Sequence, residues 1–508
     1  MNADLSSTHK HIVILGGGTA GWMSASLMMA KWKDKAVNIT LVESPAIGII
    51  GVGEGSTPQL KTFFEQIGIE ESEWMPACNA TYKNGITFKG WSSRPGFNSY
   101  FHPFASRIDA FSAPAFFYNS MFRRKGISVD SHPDRFYLSA YLAKHHKSPI
   151  PNENFPFPIG YGYHFDSGLL GQFLAKKSVQ AGVNHIQAKV LDVGKHANGD
   201  LAFLQLDNGQ QLSADFFVDC SGFNGELIQK HLAVPFHSYK DNLFNDNAVT
   251  IASSTGESIN SQTISTTLKH GWAWDIPLTN RTGNGYVYSS DYTNANDAEL
   301  ELRQKLNLVD SDVEARHLKM KVGRVEKHWY RNCLAVGLSQ GFIEPLEATA
   351  LHFVQETIEG FIQAFEPASF STKPQDTFNL NLNNRFEGIR DYIVAHYRLS
   401  SRDDTDYWRA NSENPNISNT LKKIVNAWMA GEDLNQTFAA NGKNSLPSYY
   451  PPFSWQCLLA GYGVFPEKLT QVGQTDPAHK YDLEYIDDFI QKCGLNFKDH
   501  KHYLENHL

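Results

Sequence analysis

The amino-acid sequence predicts an α/β fold with an antiparallel-sheet insertion and a mainly helical C-terminal part. Three observations predict it. A strand, a glycine turn, a helix and a second strand open the chain, Thr/Ser-rich alternating stretches cover residues 248–290, and a mainly helical pattern runs from about Gly360. We divide the 508 residues into a nucleotide-binding module, 1–365, with an interleaved sheet at about 226–325, and a helical region, 366–508. No internal repeat separates these parts, so we expect them to pack as one body.

The opening of the chain has the pattern of a Rossmann-like βαβ unit. An apolar run from His11 to Leu15 precedes G-G-G-T-A-G, a helical stretch runs from Trp22 to Trp32, and a second strand, 37–42, ends at Glu43. In a G-x-G-x-x-G turn the glycines allow a tight bend and let the backbone approach a pyrophosphate, while the acid accepts ribose hydroxyls. A purely structural glycine turn is the alternative. The predicted dinucleotide contacts are Gly16, Gly18, Thr19, Ala20, Gly21 and Glu43.

Further strands are predicted in the middle of the chain. Residues 189–193 and 201–207 form a strand pair with an Asn-Gly turn, and Leu212 to Cys220 forms one strand before C-S-G-F-N-G. The Gly-Asn-Gly at 283–285 is expected to break the sheet of residues 248–290. A helix is expected to start after Thr349.

Composition narrows the function classes. The net charge is −8, with both signs spread along the chain, which argues against a nucleic-acid partner. The five cysteines are scattered without a C-x-x-C pair, so we expect reduced thiols, no disulfide framework and no metal site. The start is polar and no apolar run reaches the roughly 18 residues of a membrane span. We therefore expect no signal peptide, no membrane anchor and a cytoplasmic location.

The spacing of the nucleotide-binding parts favours FAD over NAD. The strand near residue 215 arrives long after the opening unit, and large insertions of this kind suit a flavin enzyme. A second G-x-G-x-x-G is absent from the sequence, so no NAD(P)H site is visible. We therefore expect reduced flavin, FADH2, to come from a separate NAD(P)H-dependent flavin reductase.

One segment carries a family resemblance. G-W-A-W-D-I-P resembles the W-x-W-x-I-P signature of flavin-dependent tryptophan halogenases, with Trp272, Trp274, Ile276 and Pro277 matching. The resemblance extends through G-G-G-T-A-G-W, G-V-G-E-G-S-T-P, C-N-A-T-Y-K, F-H-P-F, Y-H-F-D and F-I-E-P-L-E-A-T, and weakens in the last hundred residues. It implies a Rossmann-like FAD-binding fold of the flavin-monooxygenase (PHBH-like) kind, in which the Trp-rich segment keeps the substrate away from the flavin. A Trp-rich strand end without that role is the alternative.

The same resemblance implies two catalytic residues. Lys83 takes the place of the family's lysine, with Lys89 as the alternative, and Glu347 takes the place of its glutamate, with Glu344 as the alternative. An ammonium beside an aromatic ring can hydrogen-bond hypohalous acid or form a haloamine. A fixed carboxylate can remove the proton from the ring intermediate.

Halide and further cofactor contacts also follow from the resemblance. Thr349 and Ala350 match the halide-binding pair, at a helix N-terminus whose amides favour anions. Alanine stands where many family members have glycine. The glycine-rich loop I-G-I-I-G-V-G-E-G-S-T-P contributes Gly53 and Glu54, and the segment G-L-S contributes Leu338.

The substrate residues follow from two further matches. His102 and Phe104 match positions that line an indole pocket. Tyr449, Tyr450 and Trp455 match the C-terminal grip on free tryptophan, and we expect the helical region to complete the pocket. The intervening P-P-F-S contains no acid, and burying an ammonium without a carboxylate costs several kcal/mol.

These features predict a two-component FADH2-dependent halogenase that uses O2 and chloride or bromide on an aromatic substrate, which is tryptophan, indole or a larger indole-like compound. A flavin-dependent aromatic hydroxylase is the first alternative, and it predicts hydroxylated product without halide. A catalytically silent flavin-binding protein is the second, and it predicts bound FAD without turnover. The halide, the ring position and the oligomeric state, including a homodimer, stay open.

Overall fold

The computed structural model describes residues 10–46, 53–439 and 449–508. Residues 1–9 at the polar start and residues 47–52 of the glycine-rich loop lie outside the described residues. One contiguous apolar core includes Ile12 of the opening strand, Trp272 of the middle sheet and Tyr392 of the helical region. The division at residue 365 stays a prediction.

A mostly parallel sheet forms the centre of the nucleotide-binding module. Its first strand, Lys10–Leu15, lies between Val37–Glu43 and Phe216–Asp219 and is parallel to both. The helix Thr19–Trp32 connects the first two strands, so the predicted βαβ unit is confirmed. The carboxyl ends of the strands, where such sheets bind ligands, therefore meet at the glycine turn. In spatial order the strands are Trp329–Tyr330, Cys333–Ala335, Phe216–Asp219, Lys10–Leu15, Val37–Glu43 and Asn184–Gln187.

The strand predicted from Leu212 to Cys220 is wrong, because the structure has two strands there. Gln211–Ser213 joins a small antiparallel sheet, whereas Phe216–Asp219 joins the parallel sheet. Asp215 lies between them, and its carboxylate accepts a hydrogen bond from the His11 amide at 2.8 Å. The chain changes partner sheets at this residue. The small sheet consists of Val190–Lys195, Leu201–Leu206 and Gln211–Ser213.

A second large sheet combines five strands from the range of the predicted insertion with two strands from residues 85–103, and it is antiparallel except at one strand pair. The predicted break at Gly-Asn-Gly is wrong, because Thr282–Tyr288 is one continuous strand. A Cβ on Gly285 would lie 2.1 Å from Cζ2 of Trp274 on the neighbouring strand. This glycine therefore makes room for an indole ring instead of ending the strand. In order the strands are Ala315–Lys319, Asn247–Ser253, Thr282–Tyr288, Gly271–Pro277, Thr263–Leu268, Gly85–Lys89 and Ser99–Pro103.

Three small sheets connect the larger parts. One of them carries the strand that ends at Lys83, and it consists of Glu54–Gly55, Gly162–Phe165 and Thr81–Lys83. The others are Phe236–Ser238 with Gly323–Val325 and Gly341–Phe342, and Lys147–Pro151 with Phe497–Asp499.

Helices dominate the C-terminal part, as predicted. The helix Ala350–Phe365 begins directly after Thr349, which confirms the predicted start. The other helices of this part are Gln375–Leu399, Asp406–Glu413, Asn419–Met429, Leu434–Ala439, Pro452–Gly461, Leu483–Gly494 and His500–His507. Earlier helices are Thr19–Trp32, Gln59–Ile67, Glu71–Ala77, Ala113–Arg124, Leu138–Lys144, Ser167–Gln180 and Ala295–Leu306. Over the described ranges, no helix combines the length and apolar character needed to cross a bilayer. All five cysteines lie in these ranges and carry free thiols.

Candidate active site

The glycine turn after the first strand has the shape of a phosphate cradle. Gly16 has φ +118°, and a Cβ there would lie 2.2 Å from the carbonyl oxygen of Cys220. A Cβ on Gly21 would lie 1.9 Å from the carbonyl oxygen of Gly16, so the helix packs closely on the turn. The position outside Gly18 is open, and the helix that starts with Thr19 and Ala20 has no side-chain cap and no acid in its first turn. A pyrophosphate fits this helix end because the amides there favour an anion.

Glu43 lies beside this turn at the end of its strand. Its Oε1 is 2.7 Å from Nε2 of His185 on the neighbouring strand, and its side chain lies over Gly17. A carboxylate at the end of this strand, beside the glycine turn, is of the type that accepts ribose hydroxyls in dinucleotide-binding folds. The sequence reasoning missed His185, whose contact joins strands 142 residues apart.

The remaining predicted cofactor residues lie in two loops. Gly53 packs near the Trp-rich strand, since a Cβ there would be 3.7 Å from Cγ2 of Ile276. Its neighbour Glu54 starts a short strand, and burial raises the pKa of this carboxyl to about 7. Leu338 lies in the turn Gly337–Ser339, which contacts Ala20 at the start of the first helix. One of these loops therefore lies beside the Trp-rich strand, and the other lies beside the start of the first helix.

The Trp-rich segment is the buried strand Gly271–Pro277. The indole Nε1 of Trp272 donates to Oε2 of Glu344 at 2.7 Å, and the two tryptophan rings of the motif have centroids 6.0 Å apart. At the end of the strand, the carbonyl of Pro277 accepts from the Thr81 hydroxyl at 2.7 Å. The motif is thereby fixed both to the F-I-E-P-L-E loop and to the strand that carries the candidate lysine.

Lys83 ends the strand Thr81–Lys83 in the protein interior. Its side chain is 0% exposed, and Nζ has no hydrogen-bond partner among the described residues. The ammonium lies 5.6 Å from the ring centroid of Phe104. Burial lowers the pKa of Lys83 to about 7, although the negative charge of Glu347 opposes this shift. Lys89, the alternative, is exposed.

Glu347 shares this interior with Lys83. Its Oε1 lies 2.8 Å from Nε2 of His396 and 3.9 Å from Nδ1 of His102. Burial raises the pKa of the Glu347 carboxyl, whereas His102 and Lys83 pull this pKa down. Glu344, the alternative, instead accepts the hydrogen bond from Trp272 that fixes the Trp-rich strand. Of the two glutamates, Glu347 is the one that the fold places with the lysine.

The turn after Glu347 has the shape of an anion site. Ala348 has a left-handed backbone conformation, with φ +55°, and Thr349 has a right-handed one, with φ −91°. Such a pair directs consecutive backbone amides into one concavity. The helix that starts at Ala350 has no side-chain cap and no acid in its first turn, which leaves its amides available to an anion. The alanine that replaces the family's glycine is helical here.

The predicted substrate residues lie in an aromatic cluster that the C-terminal part completes. His102 lies edge-on to Phe453 and to Tyr392, with ring centroids 6.4 and 6.3 Å apart. Tyr450 stacks on Tyr392 at 3.8 Å, and the buried Trp455 meets the same ring edge-on at 4.8 Å. The structure thus brings His102, Tyr450 and Trp455 together around Tyr392.

Tyr449 makes a different contact. Its hydroxyl lies 2.7 Å from Nδ1 of His352 on the helix after the anion site. Tyr392, His396 and Phe453 were not predicted, and no motif marks Tyr392 or His396. Phe453 alone gave a signal, since it occupies the acid-free P-P-F-S segment.

Comparison with known proteins decides the family. Residues 11–478 match the family described as tryptophan halogenase. The chain belongs to the tryptophan halogenase family. Among its curated relatives, the halogenase is 35% identical over 487 residues to 7-chloro-L-tryptophan 6-halogenase KtzR of Kutzneria sp. (strain 744), covering 89% of this chain and 90% of the relative. It is 32% identical to tryptophan 7-halogenase RebH of Lentzea aerocolonigenes, covering 91% of each chain.

Solved structures agree with this assignment. Tryptophan 6-halogenase SttH from Streptomyces toxytricini superposes on the halogenase with a TM-score of 0.84 at 34% identity, covering 98% of this chain and 99% of that one. BrvH, a flavin-dependent halogenase from Brevundimonas sp. BAL3, gives 0.82 at 30% identity, with 98% and 99% covered. The halogenase is thus a flavin-dependent enzyme whose cofactor is FAD and whose co-substrate is a halide, and the predicted fold class is confirmed.

Proposed function

We propose that this halogenase is a two-component enzyme that takes FADH2 from a separate reductase and halogenates an indole-like aromatic ring beside Lys83 and Glu347. Reduced FAD and dioxygen supply the oxidising power that converts halide into hypohalous acid. The environment of Lys83 is the observation that supports this proposal most strongly. The lysine is fully buried, its Nζ has no hydrogen-bond partner among the described residues, and it lies close to both Phe104 and Glu347. A lysine without a catalytic or binding role is rarely buried in this way.

Each group around the lysine has a role in this proposal. Gly16, Gly18 and Glu43 hold the dinucleotide, and the amides of Thr349 and Ala350 hold the halide. The Trp-rich strand, fixed by Glu344, separates the flavin from the ring, so that the oxidant has to travel to the lysine.

Lys83 directs the halogen to one ring carbon. The amine donates a hydrogen bond to hypohalous acid, or it takes the halogen and loses a proton to form a haloamine, with the oxygen–halogen bond broken and water released. Attack by the ring breaks the oxygen–halogen bond, with hydroxide leaving as water after it takes the lysine proton, or breaks the nitrogen–halogen bond, with the amine leaving. Glu347 then accepts the proton of the carbon that carries the halogen, which restores the aromatic ring. His102 and Phe104 hold the ring in place during both steps.

We further propose that the substrate is a neutral indole-like compound instead of free tryptophan. Phe453 lies in the acid-free segment between Tyr450 and Trp455 and packs edge-on against His102. The Tyr449 hydroxyl already contacts His352. A free amino acid would leave its charged ammonium without a carboxylate in this segment, at a cost of several kcal/mol. The names of KtzR and RebH assign them tryptophan substrates, so the substrate proposed for this chain differs from theirs.

Competition between substrates tests both parts of the proposal. The protein is incubated with FAD, a flavin reductase, NADH, bromide or chloride, and equal indole and tryptophan, and the products are analysed by mass spectrometry. We expect halogenated indole in excess. A strong preference for tryptophan would overturn the substrate proposal, and hydroxylated product in halide-free buffer would favour a hydroxylase.

A further inference from the structure

His396 connects the candidate catalytic glutamate with a second buried side chain. The residue lies in the helix Gln375–Leu399 and is 0% exposed. Its Nε2 is 2.8 Å from Oε1 of Glu347, and its Nδ1 is 2.7 Å from the hydroxyl of Tyr462. The imidazole packs against Phe88, with ring centroids 4.7 Å apart. Both ring nitrogens are therefore engaged, and the surrounding rings limit rotation of the imidazole.

The two contacts define one direction of hydrogen bonding. Burial lowers the pKa of His396 to about 3, so the imidazole is neutral and carries a single ring proton at the pH of an enzyme assay. When Glu347 is ionised, as the base of the proposed reaction has to be, its carboxylate can only accept, so this proton then lies on Nε2 and points to Glu347. Nδ1 then presents a lone pair, to which the Tyr462 hydroxyl donates. Tyr462 thereby selects the tautomer that stabilises the charged form of Glu347.

We infer that His396 is a positioning residue, which holds Oε1 of Glu347 in place, keeps the carboxylate ionised and leaves Oε2 to accept the ring proton. The inference rests on the proposed function, since it concerns the base of that reaction. A hydrogen bond to the charged form of a carboxyl favours that form, and it offsets part of the cost of burying the charge. Without the donor, Glu347 would hold its proton at higher pH and lose a fixed orientation.

The other titratable groups around Glu347 do not replace this donor. Lys83 and His102, on two different strands, both lower the pKa of Glu347. Nδ1 of His102 lies 3.9 Å from Oε1 of Glu347, which is too far for a hydrogen bond. The remaining groups are neutral thiols or phenols, because burial raises each of their pKa values well above the ordinary range. They are Tyr100, Tyr392, Tyr450, Cys457 and Tyr462.

Two amide substitutions at this position separate donation from packing. The side-chain nitrogen of glutamine occupies the region of Nε2, whereas that of asparagine occupies the region of Nδ1. His396→Gln keeps a donor for Glu347, and His396→Asn removes it. The matched control is His328→Asn, because His328 is equally buried and its pKa is also lowered to about 3, yet it stacks on Phe386 and bonds Asn383.

The measurement is the pH dependence of kcat and KM for halogenation by full-length protein loaded with FAD, with the melting temperature as a folding check. For His396→Asn we expect kcat to fall about tenfold or more, KM to change less than about twofold, and the acidic limb of the kcat profile to move up by about one pH unit. His396→Gln is expected to keep the wild-type limb, and so is His328→Asn. Should the asparagine variant not fold, His396→Phe serves as the second variant without a donor.

The outcomes distinguish this inference from the proposed function. If wild-type protein halogenates no aromatic compound, the proposed function fails. If wild-type protein is active and a folded donor-free variant keeps the wild-type acidic limb, the positioning role of His396 is wrong. An equal shift in the glutamine and asparagine variants would also overturn it, since packing alone would then explain both.

Discussion

The indole Nε1 of Trp272 donates to Oε2 of Glu344 across 2.7 Å in the protein interior. The same oxygen accepts from the Tyr397 hydroxyl at 2.6 Å and from the Asn245 amide at 2.9 Å. Three donors therefore converge on one carboxylate. Glu347, three residues later, instead lies with Lys83, so the two glutamates of F-I-E-P-L-E differ in what they contact.

Removing the Glu344 side chain should lower the free energy of unfolding more than replacing its carboxylate with a neutral amide. Glu344→Ala removes the acceptor of three hydrogen bonds and leaves the Trp272 indole without a partner, whereas the Asn245 amide keeps its bond to Tyr397, so we expect a loss of about 2–4 kcal/mol in the free energy of unfolding. Glu344→Gln keeps an acceptor oxygen and should lose less. Urea unfolding of both variants checks this order. Equal stability of the two would mean that the hydrogen bonds to Trp272, Tyr397 and Asn245 do not hold the strand.

Loss of the lysine should separate oxidant formation from ring halogenation. We expect Lys83→Ala to form hypohalous acid from FADH2, dioxygen and halide, with ring halogenation reduced by a factor of about 100 or more. A chemical trap for hypohalous acid and mass spectrometry of the aromatic product measure the two steps. Lys89→Ala, at the exposed alternative, should behave as wild type. Normal halogenated product from Lys83→Ala would refute the role of the lysine.

Much of the candidate site could be predicted from the sequence because its residues lie in contiguous motifs. The glycine turn, the Trp-rich strand and the P-L-E-A-T turn each contain the residues that define them, and the structure links the Trp-rich strand to the F-I-E-P-L-E loop through Trp272 and Glu344. Their positions in the sequence could therefore be transferred from the family pattern.

Contacts between distant segments could not be predicted in this way. His396 meets Glu347 across 49 residues, and nothing in its local sequence distinguishes it from a histidine that only packs in a core. The strand predicted at 212–220 failed for a similar reason. The segment L-S-A-D-F-F-V-D-C is mainly apolar, but Asp215 bonds to His11 of a distant strand, and the pairing with the small sheet ends before this residue.

The glycine at 285 should be needed for the position of Trp274. A Cβ there would overlap the indole, and both strands are fixed by their hydrogen-bonded neighbours, so the ring has to move. We expect Gly285→Ala to cost about 1–3 kcal/mol of stability and to change the tryptophan fluorescence. Gly256→Ala is the control, because the nearest heavy atom to its Cβ would be 3.7 Å away. Equal melting temperatures for the two variants would contradict this prediction.

The buried lysine should also make stability depend on pH in a direction opposite to that of a paired lysine. Burial lowers the pKa of Lys83 from 10.5 to about 7, so between these values the unfolded chain binds a proton that the folded chain does not. The unfolding free energy of wild type then rises with pH by up to about 1.4 kcal/mol per unit. Below pH 7 both states are protonated, and the full cost of the buried charge is present.

Lys83→Met removes this titration while keeping a side chain of similar length. We expect the variant to be more stable than wild type at pH 6.5, and its advantage to shrink steadily towards pH 9.5, because wild type gains stability as Lys83 loses its proton. Denaturant unfolding at several pH values measures the difference, and Lys89→Met, an exposed lysine, should show a difference that stays constant. A constant difference for Lys83→Met as well would mean that the lysine is solvated in the folded protein, and the interior site described for it would then be wrong.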